Sequence, residues 1–208
     1  MKRRIFLLFA IVSIVGMIVI GGCNGNEKKS EAEIDDSKLN GHEYVDLGLS
    51  VKWATCNVGA SNPHEYGDFF AWGETKPKTT FTEKNYNFFS DPAVLPSDAD
   101  AATVNWGNGW RMPTKAECDE LVNNCKWTWL DNGYKVVGPN GNGIFLPATG
   151  SRRNSDIAGV DYVGLYWSSS LYVDHQGRAW SLYSNSDYCC IFEYWRTDGL
   201  TVRPVCAQ

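Results

Sequence analysis

The apolar run at residues 5–20 divides the chain into a part suited to a membrane and a part that can fold in water. The run follows the basic start MKRR and ends at Gly21 and Gly22. A basic start, an apolar centre and small residues at the end are the parts of a secretory signal. Residues 1–22 are therefore predicted to be a signal peptide. The alternative is an uncleaved membrane helix, for which the run is at the short end of the roughly 17–25 residues needed.

Cys23 stands directly after the two glycines, and this order resembles the lipobox of bacterial lipoproteins. The resemblance implies cleavage before Cys23 and lipidation of that cysteine. Acyl chains contribute about 0.8 kcal/mol per buried methylene, so several of them hold a soluble domain at a membrane. The expected location is that of a bacterial membrane-anchored lipoprotein, in the outer membrane, on its periplasmic or its cell-surface side.

Residues 23–40 are predicted to be a flexible tether. Ile34 and Leu39 are the only sizeable apolar residues in this stretch, which is too few to form a core. Residues 41–208 are long enough for one domain. Nine tryptophans and an aromatic content of 13% predict that its core and ligand surface use large flat side chains. The formal net charge of -5 and the lack of a basic cluster argue against nucleic acid as a partner.

Six further cysteines follow Cys23, and export would permit disulfides among them, with a connectivity that sequence alone does not give. Cys118 and Cys125 are too far apart on a helix to bond and are expected to be buried apolar residues. Cys189 and Cys190 are adjacent, so on a strand they would point to opposite faces. None of the six shows the Cys-x-x-Cys spacing of zinc or redox sites.

The clearest local signal is the segment WRMPTKAE at residues 110–117. Thr114 and Glu117 have the spacing of a capping box, in which each side chain accepts a hydrogen bond from a backbone N–H at a helix start. The apolar residues that follow recur at i, i+3, i+4 and i+7, as Cys118, Leu121, Val122 and Cys125. The pattern predicts a helix at residues 115–124.

Strand composition dominates the rest of the domain. A hairpin is predicted around a Gly/Asn turn, from residues 133–138 and 144–147. A β-meander is predicted from four later segments, at residues 165–169, 178–184, 190–195 and 200–205. Near the front, a strand pair is predicted at residues 44–49 and 51–57, followed by a mostly irregular stretch at residues 61–102. The predicted fold class is α+β, with a capped helix and a C-terminal antiparallel β-meander.

Several large side chains are assigned to the core rather than to a binding surface. Burial of wide aromatic rings is expected for Trp53, Trp110, Trp167 and Trp180. Arg203 is expected to fix the last strand through a buried hydrogen bond or ion pair, because a buried guanidinium requires partners.

Six ordered motifs together cover nearly all of the domain. They are YVDLGLSVKWATCNVG at 44–59, YGDFFAWGE at 66–74, WRMPTKAE at 110–117, IFLPATG at 144–150, YWSSS at 166–170 and VRPV at 202–205. This set resembles the Fibrobacter succinogenes major paralogous domain, and the resemblance implies a C-type lectin-like fold. The helix start is also similar to the Arg-Leu-Pro-Thr-x-x-Glu of the formylglycine-generating enzyme family. Cys118 departs from the aromatic residue usual after that Glu, so the helix packing there is expected to differ.

The function of that family is largely undetermined, and a fold alone does not supply one. The lectin-like resemblance implies a module that binds an unidentified protein or glycan without catalysis. True C-type lectins hold calcium with Glu-Pro-Asn or Gln-Pro-Asp and a Trp-Asn-Asp, and none of these triplets occurs here. We therefore expect no metal and no cofactor.

The C-terminal meander is the predicted contact surface. Its Tyr, Asn, Ser and Asp residues combine contact area with adaptable hydrogen bonding, as in antibody loops. The predicted contact residues are Tyr172, Asp174, His175, Tyr183, Asn185, Asp187, Tyr188, Phe192, Tyr194 and Arg196.

One alternative is a variable surface receptor of the kind diversified by retroelements, which resembles this layout of lipoprotein signal, lectin-like domain and variable C-terminal segment. Residues 183–192 contain only amino acids that pyrimidine-ending codons encode, as adenine-directed diversification would leave. Glu193 and Trp195 break that rule and would be fixed framework. The other explanation of the segment is an ordinary exposed strand and turn.

A second alternative is an oxidase related to formylglycine generation. That chemistry needs a closely spaced redox-active cysteine pair, and no pair here has the required separation. The histidines His42, His64 and His175 lack neighbouring residues at metal-ligand spacing. We therefore expect no enzymatic activity.

Overall fold

The computed structural model describes residues 37–208. The predicted signal peptide, Cys23 and most of the predicted tether lie outside the described residues. None of the helices within residues 37–208 combines the length and apolar character that a membrane span requires. The described part of the chain is α+β, with two α-helices beside antiparallel sheets.

The strands and helices are short and are joined by long irregular connections. In chain order the strands are β1 (Lys38–Leu39), β2 (His42–Val45), β3 (Lys52–Ala54), β4 (Lys126–Leu130), β5 (Gly133–Val137), β6 (Gly143–Pro147), β7 (Ser151–Arg153), β8 (Asp156–Ala158), β9 (Val163–Leu171), β10 (Arg178–Asn185), β11 (Cys189–Trp195) and β12 (Val205–Cys206). The helices are a 3-10 turn at Glu83–Asn85, α1 (Ala101–Trp106) and α2 (Lys115–Asn124).

The described strands form four antiparallel sheets, in the orders β1-β2-β3-β12, β11-β10-β9, β4-β5-β6 and β7-β8. The predicted front strand pair is confirmed in shorter form as β2 and β3, and the predicted hairpin as β5 and β6. Strand β12 pairs with β3, placing Val205 opposite Trp53. The end of the domain therefore lies beside its beginning.

The folded domain begins earlier than residue 41. Lys38 lies opposite Glu43 in the β1–β2 pair, and Leu39 lies opposite His42. The carbonyl of Leu39 also accepts a hydrogen bond from Trp110 Nε1 at 2.9 Å. Lys38 and Leu39 therefore belong to the sheet and not to the predicted tether, because both are paired with β2.

Helix α2 has the predicted bounds and the predicted capping box. The Thr114 hydroxyl accepts a hydrogen bond from the N–H of Glu117, and the Glu117 carboxylate accepts one from the N–H of Thr114 at 2.8 Å. Arg111 Nη1 donates to the same carboxylate at 2.7 Å. Desolvation raises the pKa of Glu117, but the hydrogen bonds from Arg111 and Thr114 outweigh it and leave the pKa below its usual value. This short chain segment thus fixes the helix start locally.

The predicted meander is confirmed for three strands, β9, β10 and β11. The predicted fourth strand, residues 200–205, is wrong over most of its length. Leu200 forms a single bridge to Phe70, and Thr201 forms one to Tyr166. The reason is that this segment passes through the buried interior and bonds to several separate parts of the chain, so no continuous partner strand is available.

The irregular stretch at residues 61–102 is confirmed as mostly loop. This loop is fixed to the domain by its own large side chains, since Phe70, Trp72 and Phe81 are buried. Trp72 Nε1 donates to the carbonyl of Ser168 at 2.9 Å and so ties the loop to β9. The stretch ends at Asp100, whose carboxylate caps α1 by accepting from the N–H of Thr103 at 2.9 Å.

The expected aromatic core is confirmed for Trp53, Trp110 and Trp167, which are buried. The assignment of Trp180 to the core is wrong, since this residue is half-buried. The ammonium group of Lys115 lies 5.0 Å from the centre of the Trp180 ring. The Lys115 and Tyr172 side chains cover part of this tryptophan, and the remainder is exposed.

The expected buried role of Arg203 is confirmed. Its guanidinium donates from Nε to Asn57 Oδ1 at 2.7 Å, and from Nη1 to the carbonyls of Ala54 and Thr55 at 3.0 and 2.7 Å. Burial lowers the pKa of Arg203. The side chain therefore joins the C-terminal segment to the end of β3 through hydrogen bonds.

All six cysteines within residues 37–208 are free thiols. Cys118 is buried, as expected, whereas Cys125 is half-buried. Burial raises the pKa of the Cys118 thiol, and it raises that of Cys125 to about 11. Both thiols are therefore protonated at neutral pH and act as small apolar side chains.

Candidate ligand-binding surface

Three of the predicted contact residues form one cluster at the end of the β10–β11 hairpin. We call Tyr183, Tyr188 and Phe192 the aromatic patch. The Tyr183 and Tyr188 rings stack with 5.6 Å between centroids, and the Tyr183 and Phe192 rings are 6.3 Å apart. Tyr188 is 54% exposed and Phe192 is 45% exposed. The patch therefore presents contiguous aromatic surface to solvent.

The turn between β10 and β11 is held rigid by Asn185, another predicted contact residue. Its Oδ1 accepts hydrogen bonds from the N–H groups of Asp187 and Tyr188 at 2.9 and 3.1 Å. Its Nδ2 donates to Tyr183 Oη at 3.2 Å, and its carbonyl accepts from Tyr134 Oη at 2.7 Å. Asn185 therefore shapes the turn and orients the patch, while Asp187 stays exposed at its edge.

The aromatic patch consists of two phenol rings and one phenyl ring. The neighbouring Tyr183 hydroxyl raises the pKa of Tyr188 above its usual value. Tyr188 therefore stays neutral at neutral pH, and the patch suits a partner that offers apolar surface and hydrogen-bonding groups.

Tyr194 lies on the same face of the sheet but is half-buried. Its Oη lies 3.1 Å from Ser151 Oγ, and its ring meets Trp167 edge to face at 6.4 Å. Tyr194 therefore packs the hairpin against the core and has little surface left for contact with a ligand.

The predicted contact residues Tyr172, Asp174 and His175 lie at the opposite end of the hairpin from the patch. Tyr172 is half-buried against Trp180, with 4.8 Å between ring centroids. Asp174 and His175 are exposed, and the His175 ring meets the Trp195 ring at 5.4 Å. The structure therefore divides the ten predicted residues between two ends of one sheet and does not bring them into a single site.

The prediction that Arg196 is an exposed contact residue is wrong, because it is 4% exposed. Its guanidinium donates from Nε to Tyr86 Oη at 2.9 Å and from Nη1 to Asp91 Oδ1 at 2.6 Å. The same guanidinium lies 4.7 Å from the centre of the Trp72 ring. Arg196 is instead a buried anchor between the end of β11 and the loop at residues 86–91.

Trp195 is an exposed aromatic residue that sequence analysis placed in the framework. It is 39% exposed and lies beside the Arg178 guanidinium, 4.4 Å from its ring centre. Arg178 also pairs with Glu193 at 3.0 Å. The strand register sets Arg178 directly opposite Trp195. This contact could be predicted from the sequence only if the position of the hairpin turn were known, because the turn fixes the register.

No group of three His, Cys, Asp or Glu side chains within residues 37–208 is arranged to hold a metal ion. Burial raises the pKa of the Cys189 and Cys190 thiols, so neither is a ready thiolate nucleophile. The surface formed by the β10–β11 hairpin is therefore equipped for contact and hydrogen bonding.

No protein-family model matches this chain, and searches of curated proteins and of solved structures find no match.

Proposed function

We propose that the protein is an extracytoplasmic bacterial lipoprotein, anchored through Cys23, whose domain binds a protein or glycan without a catalytic step. The anchor holds the domain at the outer membrane, on its periplasmic or cell-surface side. In this proposal, the α+β domain has the C-type lectin-like fold that is implied by the resemblance of the six motifs. The support for export is the signal-like start followed by Gly-Gly-Cys.

The aromatic patch is the observation that carries the binding proposal. Exposed aromatic rings in contact with one another are costly in water unless a partner covers them. Tyr183 and Tyr188 also carry hydroxyl groups. The rings supply apolar contact area, and the hydroxyl groups add directional hydrogen bonds. Since Asn185 holds the turn with four hydrogen bonds, little conformational entropy is lost when a partner binds.

The non-catalytic character is supported by the chemistry of the described side chains. Formylglycine-type oxidation would need a pair of reactive thiols, and Cys189 and Cys190 are adjacent on β11 with raised pKa values. Successive residues of a strand point to opposite faces, so these two thiols do not face a common substrate. An oxidase remains the alternative that these features disfavour.

The variable-receptor alternative is favoured by the position of residues 183–192. This stretch, which fits the pyrimidine-ending codon rule, includes the turn and much of the edge strand β11. Glu193, which breaks the rule, pairs with Arg178 and stabilises the hairpin. A reverse transcriptase gene and an imperfect copy of the 3′ coding end in neighbouring DNA would support this alternative, and their absence would favour an unspecialised binder.

Replacing the patch should weaken the binding of a partner that uses it, without unfolding the domain. The full-length chain, purified in a detergent without a sugar headgroup, is tested on a glycan array beside a Tyr188→Ala/Phe192→Ala variant. Central aromatic residues dominate binding energies. A glycan that uses the patch should therefore bind this variant with an affinity at least about 30-fold lower. The matched control is Tyr162→Ala, which removes an exposed tyrosine outside the patch and should retain full signal.

Equal array signals from the natural chain and the double variant would remove the patch as a glycan site. Whether the partner is a protein is tested separately, by cross-linking from positions 188 and 192. Circular dichroism of each variant confirms that the sheet signal is unchanged, so that a lost signal reports lost contacts.

A further inference from the structure

A cleft of about 650 Å³ opens between three chain segments that are far apart in the sequence. Residues 81–84 form one wall, and residues 153–154 at the end of β7 form the second. The third wall lies at and just after the end of β11 and consists of Trp195, Thr197 and Asp198. None of the aromatic-patch residues lines it. The volume lies within the roughly 300–1,000 Å³ typical of small-molecule sites.

The walls of the cleft are fixed to one another by backbone hydrogen bonds. Phe81 and Asn154 exchange two such bonds, each of 2.8 Å, which join the first wall to the second. Arg152 and Gly199 exchange another two of 2.8 Å, which join the second wall to the third. The cleft is therefore preorganised, and a ligand would not have to order its walls.

The charges of the cleft balance one another. Arg153 donates to the Asp198 carboxylate from Nε at 3.0 Å and from Nη2 at 2.6 Å. The other charged lining residues are Glu83 and Lys84, one of each sign. A ligand with a net charge therefore gains little Coulomb energy here, and a neutral polar ligand pays the smallest desolvation cost.

The cleft offers an aromatic ring beside free hydrogen-bonding groups. Trp195 lines it as an exposed indole, steadied by the Arg178 guanidinium at 4.4 Å. Asn154 and Thr197 also line it, and their side chains hydrogen-bond to no other residue in the described part of the chain. An amide and a hydroxyl can each donate and accept. The combination matches a pyranose, which has a C–H face that packs on aromatic rings and hydroxyls that both donate and accept.

We propose that this cleft is a binding site for a neutral saccharide, with Trp195 as the platform for a sugar ring and Asn154 and Thr197 as hydrogen-bonding partners. The site is separate from the aromatic patch. It therefore stands whether or not the patch proves to be a binding surface, and the two are distinguished by variants that alter only one of them.

The test measures binding of the full-length chain to neutral glucose, mannose, galactose and N-acetylglucosamine oligosaccharides, with sulfated and sialylated glycans on the same array. We expect binding to a neutral saccharide and a loss of at least about 10-fold with Trp195→Ala. Trp195→Phe keeps a flat ring and should lose less. Thr197→Val keeps the side-chain shape, removes the hydroxyl and should weaken binding without disturbing β11.

The control is Tyr162→Ala, which removes an exposed tyrosine outside both the cleft and the aromatic patch and should bind the same saccharide as the natural chain does. Three results would overturn the proposal. These are no binding to any neutral saccharide, a preference for the charged glycans, or binding that survives both Trp195→Phe and Thr197→Val unchanged. If Trp195→Ala unfolds the domain, the Phe and Val variants still decide the outcome.

Discussion

The Arg196→Ala variant should lose about 3–5 kcal/mol of unfolding free energy relative to the natural chain, because it removes a buried guanidinium and leaves its hydrogen-bond acceptors unpaired, at about 1–3 kcal/mol for each one that is buried. Arg196 uses all five of its N–H donors. Besides Tyr86 and Asp91, they reach the carbonyls of Gln176, Phe88 and Ser90 at 2.8, 3.0 and 2.7 Å. Alanine would leave these oxygens without their partner and remove the cation beside Trp72. Urea unfolding followed by tryptophan fluorescence measures the loss.

Arg152→Ala is the matched control for this variant. The Arg152 guanidinium lies 5.0 Å from the Phe69 ring centre, and such a contact contributes about 0.5–1 kcal/mol at a partly exposed site. If Arg196→Ala were no more destabilising than Arg152→Ala, the assignment of Arg196 as an anchor for the loop at residues 86–91 would be incorrect.

The Trp167→Ala variant should destabilise the domain by a similar amount, about 3–5 kcal/mol, through the cavity that it leaves. Trp167 lies on β9 with no exposed surface, and its Nε1 donates to the carbonyl of Phe70 at 2.7 Å. Its ring also supports Tyr194 on β11. Alanine would remove the packing and leave the Phe70 carbonyl without this donor. Thermal and urea unfolding of the two chains give the difference.

Trp167→Phe separates packing from hydrogen bonding at this position. Phenylalanine fills much of the volume and lacks the N–H, so the expected loss is smaller than that of alanine. Equal losses for the two substitutions would show that the indole volume contributes little, contrary to a core built on this ring.

Elements with local signals could be predicted from the sequence. Helix α2 was predictable to the residue because Thr114 and Glu117 satisfy its first N–H groups within the same short segment. Helix α1 was missed, although Asp100 caps it, because its six residues are too few to show a helical period. Strand β4 was missed because its signal, KWTWL, is short and its partner β5 was needed to recognise it.

Features that depend on distant partners could not be predicted. The outward assignment of Arg196 failed because all its side-chain partners except the Gln176 carbonyl are about 105–110 residues away in sequence. The aromatic patch was predictable, since its residues lie on one hairpin with a polar turn. The cleft lined by Trp195 was not, because three separate segments form it and only the folded chain brings Trp195 near Asn154.

The central claim is that the aromatic patch meets a partner outside the cytoplasm, and site-specific photo-crosslinking in intact cells tests it most directly. A photoreactive phenylalanine analogue is placed at Tyr188, at Phe192 and, as control, at Phe89, which is exposed outside the patch. We predict one discrete adduct from positions 188 and 192 and none from position 89. No adduct from the patch positions, or the same adduct from all three, would contradict the claim.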